Sequence, residues 1–177
     1  MAARAAPVLE TARLILRPFE ESDLDAQARA MGDPEVMRYL GANPLSREDT
    51  WRRMLCAPGL WTLVGFGYWA VVARDDGRYL GQLGFADFKR DMTPSIEGLL
   101  EIGWIFAPAA QGQGYATEAA QAALAWADAV LAPDEVVAII DAENAPSIRV
   151  AEKIGFNENE PATYRGEPIL LFRRRRA

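Results

Sequence analysis

The chain has 177 residues, of which half are hydrophobic and a quarter are charged, and its formal net charge is −6. This length and composition predict one soluble globular domain with a substantial core. The negative charge argues against general binding to nucleic acids or anionic membranes. Histidine is absent, which excludes Ser–His and Cys–His nucleophilic devices and His-ligated metal sites. Proton transfer must therefore use carboxylates, hydroxyls, amines or water.

Cys56 is the only cysteine, so no disulfide forms within the chain and a reducing cytoplasm is favoured. No apolar run approaches the roughly 20 residues that span a bilayer, and residues 1–7 lack the apolar core of a signal peptide. We expect a cytoplasmic protein whose single domain covers residues 1–177. Residues 1–7 and the basic end, 173–177, are expected to be flexible, solvated tails.

The first half of the chain predicts one strand followed by helices. Residues 13–17 alternate between polar and apolar and end at Pro18, as an early strand does. Residues 21–31 predict a helix, and a short helix or turn follows. Ser46 with Asp49 resembles a capping box, and the helix that starts there is expected to run to about residue 55 and stop at Ala57-Pro58-Gly59.

From residue 66 the hydrophobic period changes to two, and Asp75-Asp76-Gly77 is a strong hairpin signal. The pattern predicts an α/β (α+β) domain with a mixed, mostly antiparallel sheet of about six to seven strands flanked by helices. The predicted elements are a meander of strands over 67–74, 79–88 and 97–107, a helix over 115–131, a strand over 135–140, a helix over 146–154, and closing strands over 156–159 and 162–173.

A glycine-rich turn, residues 111–116, joins an apolar strand to an alanine-rich helix. The first N–H groups of a helix have no partner within it, and the helix dipole adds positive charge there. Such a turn can hold an anion such as a pyrophosphate. An ordinary loop is one alternative. A dinucleotide fingerprint is another, because Gly112 and Gly114 supply its first two glycines, although Thr117 stands at the third. A P-loop is excluded, since no Gly-Lys-Ser/Thr follows.

Three segments resemble the GNAT superfamily of N-acetyltransferases. Gln111-x-x-Gly114-x-Ala116 matches its (Arg/Gln)-x-x-Gly-x-(Gly/Ala) signature, three residues after Pro108. Residues 144–156 are similar to its second cofactor segment. The opening, residues 11–18, resembles the RimJ/RimL type, which acetylates ribosomal-protein N-termini. The resemblance covers nearly the whole chain and implies a single GNAT-like domain whose sheet is splayed between the third meander strand and the strand after the central helix.

The resemblance also implies how acetyl-CoA binds. In the family the third meander strand carries a bulge, its backbone pairs with the pantetheine arm, and one N–H, here near Ile105, points at the thioester oxygen. Asn144 would hydrogen-bond the cofactor arm, although a helix cap is an equal alternative. Strand core is the structural alternative for Trp104 to Phe106. The implied cofactor residues are Trp104, Ile105, Phe106, Gln111, Gly112, Gln113, Gly114, Tyr115, Ala116, Thr117 and Asn144.

Glu101 is the expected general base. A carboxylate in so apolar a strand is costly to bury, which favours its neutral form and would suit proton uptake from an ammonium group. An ion pair is the structural alternative, and Glu97 or a water molecule is the alternative base. Many relatives carry a tyrosine acid where this chain has Ala151, so the resemblance suggests Ser147 as the acid, with helix capping as an equal alternative.

These residues predict an acetyl-CoA-dependent N-acetyltransferase that uses no metal. It would move an acetyl group to a primary amine by direct attack in a ternary complex. The acceptor would be a small-molecule amine or a protein N-terminus, and the family suggests a homodimer. A non-catalytic acyl-CoA sensor or interaction module is the alternative. Most of a set of aromatic residues are expected in the core, with a few lining the acceptor pocket: Tyr39, Trp51, Trp61, Phe66, Tyr68, Trp69 and Phe85.

Overall fold

A computed structural model describes residues 5–40 and 43–176. Within these ranges it contains a mixed sheet of nine strands and five α-helices. The strands are β1 Leu9–Glu10, β2 Leu14–Arg17, β3 Tyr68–Ala73, β4 Tyr79–Ala86, β5 Met92–Thr93, β6 Leu100–Phe106, β7 Glu135–Ile140, β8 Glu158–Tyr164 and β9 Glu167–Arg175. The helices are α1 Leu24–Met31, α2 Pro34–Met37, α3 Arg47–Val64, α4 Tyr115–Val130 and α5 Ala145–Lys153.

The sheet order is β1-β2-β3-β4-β6-β7-β9-β8-β5, and β6 with β7 is its parallel pair. This arrangement confirms the predicted α/β class with a mostly antiparallel sheet. The strand number exceeds the predicted six to seven because β1 and β5, of two residues each, were not recognised. Two-residue strands carry too little alternation to be read from sequence.

The sheet is splayed between β6 and β7, as predicted. These strands pair only at Leu100 with Val136 and at Glu101 with Val137. Beyond Glu101, β6 stays paired with β4 as far as Phe106, while β7 stays paired with β9 along its whole length. A gap therefore opens in the middle of the sheet. The expected bulge in β6 is wrong, because the β4–β6 register runs without a shift.

One face of the sheet is covered by α4. Its alanines 119, 120, 123 and 127 are fully buried, and their small side chains let the helix lie close to the strands. Next to them an aromatic cluster packs ring on ring, with centroids 4.8–6.3 Å apart. Its members are Trp61, Trp69, Phe85 and Trp126. This packing fixes α4 against the sheet.

Helix α3 continues through the point where a stop was expected. It runs to Val64 and ends at Gly65, whose φ is 82°. Pro58 is exposed, whereas Ala57 and Trp61 are buried against the core. A proline inside a helix removes one hydrogen bond, but the burial of the neighbouring apolar face outweighs that local cost. In the part of the chain described here, no helix has both the length and the apolar character needed to cross a membrane.

The C-terminal strands also differ from the prediction. β8 runs through Pro161, and the turn lies at Arg165 and Gly166. Proline has no N–H to donate to a neighbouring strand. It is tolerated at position 161 because β5, the neighbour on the side away from β9, pairs only with the last two residues of β8.

The basic end, predicted as a solvated tail, is instead part of the sheet as far as Arg175. Arg173 pairs with Glu135 and Glu160, and Arg174 pairs with Asp128. At the other end, the Pro7 carbonyl accepts a hydrogen bond from the Trp69 indole at 2.8 Å. Of the predicted tails, residues 1–4 and 177 lie outside the described residues.

Candidate functional site

The glycine-rich turn lies between β6 and α4. A single 3-10 turn, Pro108–Ala110, follows β6, and the chain then passes through Gly112 and Gly114, whose φ values are 74° and 80°. Both lie in the left-handed region, which glycine enters without strain. Gly114 directly precedes the first turn of α4. The two glycines thus turn the chain so that the helix starts beside the gap.

Six consecutive backbone N–H groups, those of residues 112–117, are free at this turn. The first helical bond runs from the N–H of Glu118 to the carbonyl of Gly114, 3.1 Å away. Within residues 5–40 and 43–176, none of the six donates to another group. The Gln111 N–H does donate, to Pro108, so the free series starts one residue later than predicted. Free donors at a helix start favour an anion.

A brace from two residues just before β2 holds the turn in place. Arg13 donates from Nη1 to the Gln113 carbonyl at 2.9 Å and pairs through Nε with Glu118 at 2.7 Å. Thr11 also donates to Glu118, at 2.6 Å. Burial alone would raise the pKa of Glu118, but the hydrogen bonds from Thr11 and Arg13 lower it below its ordinary value. Sequence reasoning missed this brace, although Thr11 and Arg13 lie in the opening that resembles the RimJ/RimL type.

The edge of β6 along the gap offers further unpaired backbone groups. The N–H of Ala107 donates to Leu80, so alternate residues of β6, including Ile105 opposite Gln82, point their backbone groups at β4. The backbone N–H and carbonyl groups of Trp104 and Phe106 point at the gap instead. An N–H near Ile105 that faces the gap is therefore that of Trp104 or Phe106, and the N–H of Ile105 itself faces β4. The Phe106 carbonyl is already taken by the Gln111 side chain at 3.1 Å.

Glu101 lies where the gap begins, and it is 5% exposed. Arg90 donates to both of its carboxylate oxygens, from Nε at 2.7 Å and from Nη2 at 2.8 Å. Arg90 also donates from Nη1 to the Tyr164 hydroxyl at 2.9 Å. The ion pair named as the structural alternative for Glu101 is thus present, and it stabilises the charged carboxylate. Glu97 is exposed and lies outside β6, in the preceding loop.

Tyr68 on β3 brings a phenol to the same place. A Cβ on Gly103 would come within 2.8 Å of the Tyr68 hydroxyl oxygen, so the missing side chain makes room for this ring. Burial, and then the charge of Glu101, raise the pKa of Tyr68 well above its ordinary value. The phenol therefore stays protonated and can donate a hydrogen bond. Its ring also stacks with Phe88 at 6.3 Å.

The remaining aromatic residues divide between core and surface. Trp61, Trp69 and Phe85 are buried, so the core position expected for most of the set holds for three of its seven members, and the other four are half-buried. Trp51 lines a separate open recess of about 500 Å³ between α1 and α3. Only Tyr68 of this set is placed against the gap by the contacts described above.

Asn144 and Ser147 lie at the start of α5. The Asn144 side chain accepts a hydrogen bond from the Ser147 N–H at 3.2 Å, so it caps the helix. This leaves its side-chain NH₂ without a partner in the described chain. Ala151 is fully buried, so a side chain at that position packs into the core. Among the described residues, no cluster of three or more acidic or cysteine side chains is placed to hold a metal ion.

Comparison with known proteins agrees with this arrangement. The family described as acetyltransferase (GNAT) domain matches residues 13–157. The N-acetyltransferase YnaD of Bacillus subtilis, itself uncharacterized, is 32% identical over 147 residues, which cover 83% of this chain and 81% of YnaD. The crystal structure of an acetyltransferase from Agrobacterium tumefaciens is 29% identical and superimposes with a TM-score of 0.82, covering 97% of this chain and 96% of that one.

A structure of RimL, the ribosomal L7/L12 alpha-N-protein acetyltransferase, in complex with coenzyme A has a TM-score of 0.74 over 96% of this chain and 98% of that one. At 18% identity it shows a shared fold only, so the RimJ/RimL subtype does not follow from it. The family match covers most of the chain and the YnaD match more than two thirds of it. The chain therefore belongs to the GNAT family of N-acetyltransferases.

Proposed function

We propose that this enzyme transfers an acetyl group from acetyl-CoA to a primary amine, with both substrates bound together. One observation carries the proposal: six N–H groups without a partner among the described residues lie at the start of α4 beside a gap in the sheet, and a carboxylate lies where that gap begins. Few other ligands combine a diphosphate with an extended arm of amide groups, as coenzyme A does.

The free amides of residues 112–117 would hold the diphosphate, aided by the positive end of α4. Gly114 suits this position because it leaves the backbone accessible. The gap-facing N–H and carbonyl of Trp104 and the N–H of Phe106 would pair with amides of the pantetheine arm, in the manner of an added strand. The free NH₂ of Asn144 would contact the same arm. Bound in this way, acetyl-CoA supplies an acyl group activated as a thioester.

Glu101 would accept the proton that the acceptor amine loses, directly or through water. Arg90 donates a hydrogen bond to each of its carboxylate oxygens and compensates its charge. The protonated Tyr68 phenol lies on the same side of β6 and can donate a hydrogen bond there. Ser147 at the start of α5 is the proposed partner of the departing thiolate, although a thiolate is stable enough to leave without one.

The acceptor is proposed to be a protein N-terminus or a small-molecule amine. The resemblance of residues 11–18 to the RimJ/RimL type favours the N-terminus, and the buried negative charge of Glu101 suits any ammonium group. We also propose a cytoplasmic location, which suits a chain with a single cysteine, and a homodimer, which light scattering would test.

The test is to incubate the protein with acetyl-CoA and a panel of amines and peptides and to follow the release of free thiol. Glu101→Gln should bind coenzyme A normally by calorimetry but lose about 10²- to 10⁴-fold in kcat, most severely at low pH, where free amine is scarcest. Glu97→Gln is the control, because Glu97 is exposed and outside the strand. Unchanged turnover in Glu101→Gln would remove Glu101 from the mechanism. Tight coenzyme A binding without turnover on any amine would favour the sensor alternative.

A further inference from the structure

Arg90 and Glu101 form a buried, bidentate ion pair, which is more rigid than an ion pair on the surface. The two side chains are 18% and 6% exposed, and the guanidinium meets both carboxylate oxygens at once. The guanidinium itself is held on two sides, with its carbon 4.9 Å from the ring centroids of Phe88 and Tyr164. A bidentate pair fixes direction as well as charge. Glu101 therefore has little freedom to rotate within the site.

The contacts around Glu101 show which group compensates its charge. Arg90 comes from the loop after β4, Tyr164 from β8 and Tyr68 from β3. Of these, Tyr68 stays neutral and Tyr164 accepts a hydrogen bond from Arg90. The Arg53 guanidinium of α3 acts on the Tyr68 phenol and makes no ion pair of its own in the described residues. Arg90 is thus the cation in direct contact with the buried carboxylate.

We propose that Arg90 is a positioning residue for catalysis: its bidentate contact compensates the charge of Glu101 and holds the carboxylate in one orientation where the gap begins, so that it can take the proton of the acceptor amine. The inference rests on the proposed function, in which Glu101 is the proton acceptor. Without Arg90, the carboxylate would be a buried charge with no counter-ion, and the neutral acid would be favoured. A neutral acid cannot take a proton, so activity would be lost at a higher pH than in the parent enzyme.

The experiment measures kcat/KM for the best acceptor between pH 5 and 9 in the parent enzyme, Arg90→Gln and Arg90→Lys. In Arg90→Gln the acid limb of the profile should move to higher pH by at least about one unit, as expected when an opposite charge within a few ångströms is removed. Arg90→Lys keeps the charge but not the bidentate contact, so its acid limb should move less while its kcat stays low.

Arg174→Gln is the matched control. Arg174 forms an equally bidentate pair with Asp128, at 3.0 and 2.6 Å. Asp128 is near the far end of α4, about 20 Å from the turn that would hold the diphosphate. The acid limb of the Arg174→Gln profile should therefore lie at the same pH as that of the parent enzyme. Tyr164→Phe removes only the hydroxyl that Arg90 contacts, so it provides a milder variant if Arg90→Gln does not fold; its acid limb should move in the same direction.

The inference is overturned if the Arg90 variants and Tyr164→Phe lose activity evenly at all pH values, with an unshifted acid limb, because that is the signature of a purely structural role. The Glu101→Gln variant distinguishes failure of this inference from failure of the proposed role of Glu101. If Glu101→Gln is inactive while Arg90→Gln shows an unshifted profile, only the role of Arg90 is wrong. If Glu101→Gln is fully active, Glu101 is not the proton acceptor and the role of Arg90 falls with it, although acetyl transfer itself stands. If the parent enzyme releases no thiol with any amine or peptide, the proposed function fails.

Discussion

Replacing Gly114 with alanine should weaken coenzyme A binding as well as stability. Gly114 has a φ of 80°, and a Cβ there would lie 3.5 Å from Nη2 of Arg13, an ordinary contact. The stability cost is therefore backbone strain, about 1–2 kcal/mol for a left-handed alanine. The added methyl group would also hold a diphosphate away from the free amides. Loss of one hydrogen bond to a charged group costs about 1.5–3 kcal/mol, or roughly 10- to 100-fold in Kd.

Gly77→Ala separates these two effects. Gly77 lies in the β3–β4 hairpin turn with a φ of 69°, and a Cβ there would meet no atom within 4 Å. It should therefore carry similar strain and lower Tm by roughly 2–8 °C, as Gly114→Ala should. Only Gly114→Ala should also bind coenzyme A more weakly in titration calorimetry. If Gly114→Ala binds coenzyme A like the parent, or Gly77→Ala loses affinity equally, the free amides of this turn are not the diphosphate site.

Two further predictions concern stability. Glu118→Gln should lower Tm at pH 7, and the difference should shrink as the pH falls below 4.5, the ordinary value for the carboxyl. The reason is that a group whose pKa is lowered on folding stabilises the fold above its unfolded pKa and loses that effect as it is protonated; a difference that does not shrink at all as the pH falls below 4.5 would indicate packing instead. Pro58→Ala should stabilise the protein against urea by about 1–3 kcal/mol, because it restores an N–H inside α3, and a loss of stability would contradict a helix that continues through residue 58.

The surroundings of Glu101 are only partly predictable from the sequence. Glu101 itself stands out because it is an acidic residue in an apolar strand. Its partner does not stand out, because Arg90 lies in a loop and Tyr164 is 74 residues further along the chain from Arg90. The brace on the turn joins Arg13 to Glu118 across 105 residues. No local pattern in sequence reports such pairs.

By itself, the sequence determined the features that depend on nearest neighbours along the chain. The turn at Gly112 and Gly114, the hairpin at Gly77 and the meander of strands follow from local steric rules and alternation. Tertiary structure decided the rest. In the tertiary structure α3 continues past Pro58, Arg173 lies in β9 and Glu101 pairs with Arg90. The reason is that burial and charge pairing between distant segments outweigh local preferences once the chain is compact.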